Sequence, residues 1–289
     1  MATISQLVVP LVLSSGTPHQ IPSRSDPRGL IFAEDSGVRN SGFTLICVPG
    51  IGDVRTSFRF IGKTFQDSHR IIVTDIRGFG DSHSFSKFSP EDVAEDMKCV
   101  MEYFKLESGV VFVTNSLSTG SAVIVATEGS PAVKGIVLLG PILRDLPADK
   151  YFRPISHCLF AWPWGAPLWS SYYKGLFKRR VRPVGFDEHA SHIRAALRRP
   201  GALRSVGAFA RAPKRGVEAR LPRVRVPALA VFGDSDPDYP DAAAEEAWLK
   251  AAMAGGRLTT VMLKEVGHYP HVEAAEEALA AVRDFLASL

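Results

Sequence analysis

Short apolar runs recur along the chain, and stretches of helical spacing separate them. Runs at Leu7–Leu13, Gly29–Ala33, Phe43–Val48, Arg70–Asp75, Val110–Thr114, Gly135–Gly140, Ala228–Phe232 and Leu258–Leu263 predict strands. Most are β-branched and apolar at successive positions, the pattern of a parallel sheet covered on both faces. The intervening stretches supply the crossovers that parallel strands need. Ser89-Pro90-Glu91-Asp92 opens one helix, with Ser as N-cap, Pro at the first helical position and acids in the first turn. Val93, Met97 and Met101 form its buried stripe as it runs on to Phe104. Alanine-rich helices are predicted from Ala242 to Met253 and from Ala274 to Leu286. The whole predicts an α/β fold, an eight-stranded and mostly parallel sheet flanked by helices.

One stretch breaks the rhythm. From Leu143 to Arg220 no strand pattern occurs, and the sequence holds Tyr151, Phe160, Trp162, Trp164, Trp169 and Tyr173 before an Arg-rich helical part. It starts after the strand that ends at Gly140-Pro141 and stops before the one at Ala228. A helical lid inserted after the sixth strand is expected there. The expected organisation is a core of residues 1–142 and 221–289 with a lid (cap) of residues 143–220.

Composition narrows the class. Of 289 residues, 46% are hydrophobic and 22% charged, which suits a globular protein with a sizeable core. The formal charge of +4 is modest, lies mostly between Lys174 and Arg225, and lacks an aromatic-interleaved recognition motif, so nucleic acid is not an expected partner. Three cysteines, Cys47, Cys99 and Cys158, fit neither a zinc site nor a disulfide framework and favour a reducing compartment. Leu7 to Leu13 lacks the basic flank of a signal peptide, since the first Lys or Arg is Arg24, and Pro10 interrupts it; an edge strand is expected. No run approaches the ~20 apolar residues of a membrane span. A cytoplasmic monomer or homodimer is expected.

Chemistry enters at Val110–Val113, which leads through a cramped turn, Thr114-Asn115-Ser116-Leu117-Ser118, into a small-residue helix from Thr119 to Ala126. A sharp strand-to-helix turn strains the backbone of its central serine and exposes the hydroxyl. Downstream, in order, come Gly233-Asp234-Ser235-Asp236-Pro237 and Val266-Gly267-His268-Tyr269-Pro270. Upstream lie Cys47-Val48-Pro49-Gly50-Ile51-Gly52 and Asp75-Ile76-Arg77-Gly78-Phe79-Gly80-Asp81-Ser82. With these five motifs in this order, nearly the whole chain resembles the α/β-hydrolase superfamily. Within it, the chain is similar to the lidded serine esterase, C–C hydrolase and haloperoxidase-like branch.

The resemblance implies roles. Ser116 is the nucleophile, and His268 the base that takes and returns its proton. Asp236 holds the imidazole; it fits the family spacing Gly-x-x-Asp-Pro, while Asp234, Asp238 and, after the sixth strand, Asp145 compete for the part. The backbone N–H groups of Ile51 and Leu117 form the oxyanion hole. Three departures stand out: Thr114 where the family has Gly, Asn115 where it often has His, and Pro49-Gly50 where it often has His-Gly.

Other motifs fall away. Gly62-Lys63-Thr64 lacks the first glycine of a phosphate loop, where Ser57 stands, and Gly50-x-Gly52 lacks a third glycine. His268-x-x-His271 has no carboxylate-rich partner motif, so neither metal nor cofactor is expected. Asp75 and Arg77 read as a local ion pair that pins a turn. Trp162, Trp164 and Trp169 are expected to line an apolar pocket above Ser116 or to glue the lid to the core. The implied activity is hydrolysis of an ester of a lipophilic or aromatic small molecule through an acyl-enzyme. Cleavage of a C–C bond in a diketone-type substrate, or ligand sensing with residual turnover, are the alternatives.

Overall fold

The computed structural model describes residues 7–37, 42–146, 149–161 and 163–289. Eight strands form one sheet: β1 (Thr17–Pro22), β2 (Leu30–Asp35), β3 (Thr44–Val48), β4 (Arg70–Thr74), β5 (Val110–Asn115), β6 (Val133–Leu139), β7 (Ala228–Gly233) and β8 (Leu258–Leu263). Their spatial order is β1-β2-β4-β3-β5-β6-β7-β8. The β1–β2 and β2–β4 pairs are antiparallel, and every other pair is parallel.

Strand parity divides the core. Leu45, Cys47, Val111 and Val113 pack in one apolar cluster, whereas Ile46, Val48, Val110 and Phe112 pack in the other. Successive side chains leave opposite faces of a strand, so a continuous apolar run is what burial on both faces demands. Helices α1 (Arg59–Phe65), α2 (Pro90–Tyr103) and α3 (Ser118–Thr127) follow β3, β4 and β5. In α2, Ser89 caps as its pattern requires, its hydroxyl accepting from the Asp92 N–H at 3.1 Å.

Between β6 and β7 the chain forms α4 (Asp149–Leu159), α5 (Gly165–Gly175), α6 (Phe186–Leu197), α7 (Ala202–Arg211) and the single turn α8 (Arg215–Glu218). Three helices complete the fold: α9 (Ala242–Ala252), α10 (Pro270–Glu273) and α11 (Ala275–Ala287).

Two expectations need correction. The run Leu7–Leu13 is not a strand, and the first strand is Thr17–Pro22. Its main chain is bonded by buried carboxylates instead: Val8 and Val9 donate to Asp81, and Val12 and Leu13 donate to Glu34. Asp75 and Arg77 do not pair with each other. Asp75 binds the wholly buried Arg55, and Arg77 grips both carboxylate oxygens of Asp96 at 2.7 Å. A buried guanidinium takes the partner that offers two parallel hydrogen bonds, and that geometry depends on tertiary structure.

The chain turns to opposite sides of β3 at β4 and β5. That reversal opens a crevice beyond the carboxyl ends of β3 and β5, where such sheets place their chemistry.

Candidate active site

Ser116 stands between β5 and α3 with φ of 57°, in the left-handed region. For a residue with a Cβ this backbone costs on the order of 1–3 kcal/mol and persists only where its surroundings enforce it. Here they do. Ser116 N–H donates to Leu139 O at 3.0 Å, and the Ser118 hydroxyl donates to Pro49 O at 2.5 Å.

The loop after β3 passes close to the same turn. A Cβ placed on Gly50 would fall 2.7 Å from Ser116 Cβ and 3.3 Å from its Oγ. Only glycine lets the main chain run there, and it brings the next residue, Ile51, to the cavity that Ser116 and Leu117 also line. Among the described residues, neither the Ile51 nor the Leu117 N–H has a main-chain or side-chain acceptor. Trp169, from α5, braces the loop by donating its indole N–H to Gly52 O at 3.1 Å.

The departures at the turn have local explanations. Thr114 lies within β5, wholly buried, and its hydroxyl donates to Val137 O at 3.1 Å. The Asn115 amide donates to Leu139 O at 2.9 Å and to His268 O at 3.3 Å. It thereby ties the serine turn to the histidine loop, a link that no spacing in the sequence announces.

His268 follows β8 on a loop packed without slack. Its N–H donates to Leu176 O at 3.0 Å, and Gly267 N–H donates to Glu273 at 2.7 Å. A Cβ on Gly267 would fall 1.8 Å from Leu176 O. His268 Nδ1 donates to Asp236 Oδ2 at 2.7 Å, and both side chains are buried. The other ring nitrogen, Nε2, has no hydrogen-bond partner among the described residues, so it is not bonded to Ser116 Oγ in this state. Such contacts commonly tighten only once substrate is present.

A second carboxylate joins this pair. Asp238 Oδ2 lies 3.5 Å from His268 Nδ1, its N–H donates to Asp236 Oδ1 at 2.9 Å, and the Tyr172 hydroxyl of α5 donates to its Oδ1. Burial presses the His268 pKa down, but Asp236 and Asp238 outweigh it and hold the group at about 9, above its ordinary 6.5. Burial raises the pKa of Asp238, and the neighbouring Asp236 adds to the effect.

The remaining candidates lie elsewhere. Asp234 caps its own turn, accepting from Ser235 and from Glu265 N–H. Asp145 pairs with Arg153 and accepts from Lys214 N–H. His271 stacks on Phe58 and is not among the cavity residues; burial, then Arg59 and two histidines, drive its pKa down to about 3. Asp236, Asp238 and His268 bring donor atoms within 4.8 Å of one another and are the group that could hold a cation among the described residues. The Asp236 and His268 atoms are already spent on each other, however, and Tyr172 occupies Asp238.

The cavity measures about 430 Å³, in the range of a small-molecule site. Leu117, Ile142, Leu159, Trp169 and Phe209 give it apolar walls, and Asp149 with Lys214, paired at 2.9 Å, marks a polar end. Of the three expected tryptophans, Trp169 is a wall. Trp164 is 54% exposed, donates to Cys158 O and lies outside the cavity. Trp162 lies outside the described residues. A neighbouring buried pair, His189 of α6 to Asp53 at 2.9 Å, gave no sequence signal because its members are 136 residues apart.

Residues 45–282 match the family model described as "Alpha/beta hydrolase family". No curated protein matches the chain. Among solved structures, a thermophilic esterase from Thermogutta terrifontis superposes with a TM-score of 0.76 at 21% identity, covering 94% of this chain and 98% of its own. The enol-lactonase from Burkholderia xenovorans LB400 gives a TM-score of 0.76 at 18% identity, covering 93% and 100%. A hydrolase from Pseudomonas aeruginosa PA01 gives 0.76 at 19%, covering 94% and 99%.

Proposed function

We propose, from the premise that the chain belongs to the alpha/beta hydrolase family, that it is a serine hydrolase acting on esters of lipophilic or aromatic small molecules. The observation that carries this reading is Ser116, held at φ 57° on a cavity that also contains His268, whose Nδ1 is bonded to Asp236.

In the proposed reaction His268 Nε2 takes the hydroxyl proton as Ser116 Oγ attacks the ester carbonyl carbon. The oxyanion that forms accepts from the Ile51 and Leu117 N–H groups, each such donor worth roughly 3–4 kcal/mol in the transition state. Collapse breaks the bond to the leaving alcohol, which carries off the proton from Nε2. Water then repeats the sequence on the acyl-enzyme: His268 takes one proton, hydroxide adds to the carbonyl, and Ser116 leaves with the proton restored. Asp236 stays ionised and keeps Nδ1 protonated so that Nε2 faces the reaction.

Ester chemistry has further support in the likeness to structures described as an esterase and an enol-lactonase, since a lactone is a cyclic ester. The apolar walls and volume favour an acyl or aryl group over a bare acetyl group. The helical insertion acts as the lid that supplies those walls. A p-nitrophenyl ester series checks the reading: kcat/KM rises from acetate to hexanoate or benzoate. A flat or falling series contradicts the substrate class.

A further inference from the structure

The helical insertion differs from the rest of the chain in charge. Residues 143–220 contain sixteen Lys and Arg against five Asp and Glu, a net +11 within a chain whose total is +4, so the remainder carries −7. The insertion also holds most of the apolar surface left bare. Of the eight large hydrophobic side chains exposed among the described residues, seven lie here, including Tyr151 at 70% and Val181 and Val184 at 82% each; Tyr103 is the eighth.

Basic side chains gather at a cleft of about 940 Å³ between α5 and the corner that joins α6 to α7, and Arg182, which stands between Val181 and Val184 in the sequence, donates to the main-chain oxygen of Lys174 at its edge at 3.2 Å. Lys174, Arg194, Arg198, Arg199 and Arg204 line it, and no Asp or Glu does. Arg199 is engaged, donating to Gly80 O at 2.6 Å and lying 3.4 Å from Asp81. Among the described residues the other four have no carboxylate within ion-pair reach.

Helix dipoles account for part of this. Lys174 and Arg194 sit in the last turns of α5 and α6, where cations are favoured. Two helix C-termini supply about one negative charge between them, against five cations. Arg204 lies in the first turn of α7, the wrong end for that explanation.

We propose that the outer face of this insertion docks on an anionic lipid surface, with lipid headgroups seated in the cleft between α5 and the α6–α7 corner. A soluble anion would use the cations but leaves the bare Val181, Val184 and Tyr151 without a role. A nucleic acid would use the cations and the aromatic rings, but exposed valine and isoleucine offer a base nothing to stack on. A lipid interface uses both, basic side chains at the headgroups and apolar ones beneath them. Placement adds a consequence. Helix α5 turns Pro167, Ser171 and Lys174 to the cleft and Leu168, Trp169 and Tyr172 to the cavity of Ser116. Docking therefore brings the lipid to the helix that also walls that cavity. The binding itself does not depend on turnover at Ser116.

Vesicle flotation of the full chain, as the Ser116→Ala variant, tests this. The protein is expected to float with phosphatidylcholine vesicles that contain phosphatidylglycerol, not with phosphatidylcholine alone, and to release as salt is added. Each basic residue near such a surface contributes about a fivefold factor, so Arg194→Gln/Arg198→Gln/Arg204→Gln lowers partition about a hundredfold. Arg257→Gln/Lys264→Gln/Arg283→Gln removes equal charge from exposed sites in the core and leaves flotation unchanged. Val181→Ser/Val184→Ser weakens it without changing net charge. Three results overturn the proposal: equal loss in the two charge triples, equal binding to neutral vesicles, or no flotation while inorganic phosphate or poly(U) binds in a manner the lid triple abolishes.

Discussion

The serine turn and the helical insertion line one cavity but are built on different terms. Around Ser116 the fold works through main chain. Gly50 leaves no room for a side chain beside the serine, Gly267 none beside Leu176 O, and Gly140 none beside His268 O, where a Cβ would fall 2.5 Å away. The strands that lead into Ser116 and into the Asp236 loop, β5 and β7, are buried along their whole length. The insertion works through large side chains: Tyr173 meets Phe177, Phe186, His189 and Tyr269, and Trp169 meets Phe160 and Tyr172. It leaves apolar surface bare and carries a strong positive charge. Main-chain contacts fix atoms to fractions of an ångström, as reaction geometry requires. Side-chain packing tolerates exchange, as a choice of substrate requires.

Substitutions can break that contrast. The largest effect is expected from Asp236→Asn, which leaves shape intact but favours the wrong imidazole tautomer; kcat/KM should fall about 10⁴-fold across all esters, by steady-state kinetics. Trp169→Ala is the informative exception on the insertion side, because it touches both regions. Removing a buried indole should cost about 3–5 kcal/mol in denaturant unfolding, and loss of the bond to Gly52 should lower kcat as well as raise KM. A change in KM alone would place Trp169 with the substrate walls and not with the oxyanion loop. Gly50→Val should lower kcat about 10²-fold by displacing Ser116, with the ranking of esters unchanged.

The smallest effect is the most specific. The proposed reaction needs neutral His268, and the nearby carboxylates hold its pKa at about 9, so kcat/KM should still be rising between pH 6.5 and 9. Asp238→Asn removes one of the charges that favour the imidazolium. The acid limb should move to lower pH by about one unit, read from the pH profile of kcat/KM. An unmoved limb would show that Asp238 is screened from the ring.

The same contrast explains what was legible in the sequence. Strands such as Val110–Asn115 and Ala228–Gly233 are readable because burial on both faces writes a continuous apolar run. The run at Leu7–Leu13 looks alike but is bonded by Asp81 and Glu34, residues far along the chain that no local pattern reveals. At the site, the positions of Ser116 and His268 follow from local motifs. The partner of His268 does not, since Asp234, Asp236 and Asp238 share one turn and only folding brings Asp236 to Nδ1 with Asp238 behind it. Asn115 reads as a departure and proves to be a brace. Two of the tryptophans part company, Trp169 buried on α5 and Trp164 exposed at the cap before it, and that depends on how α5 packs, which aromatic content alone does not encode.

The most direct test of the account is intact-mass measurement after treatment with a fluorophosphonate, followed by peptide mapping. One adduct on Ser116 is predicted, absent in Ser116→Ala and forming faster as pH rises toward 9 with the deprotonation of His268. An adduct that survives Ser116→Ala, or no adduct at any pH, would contradict it.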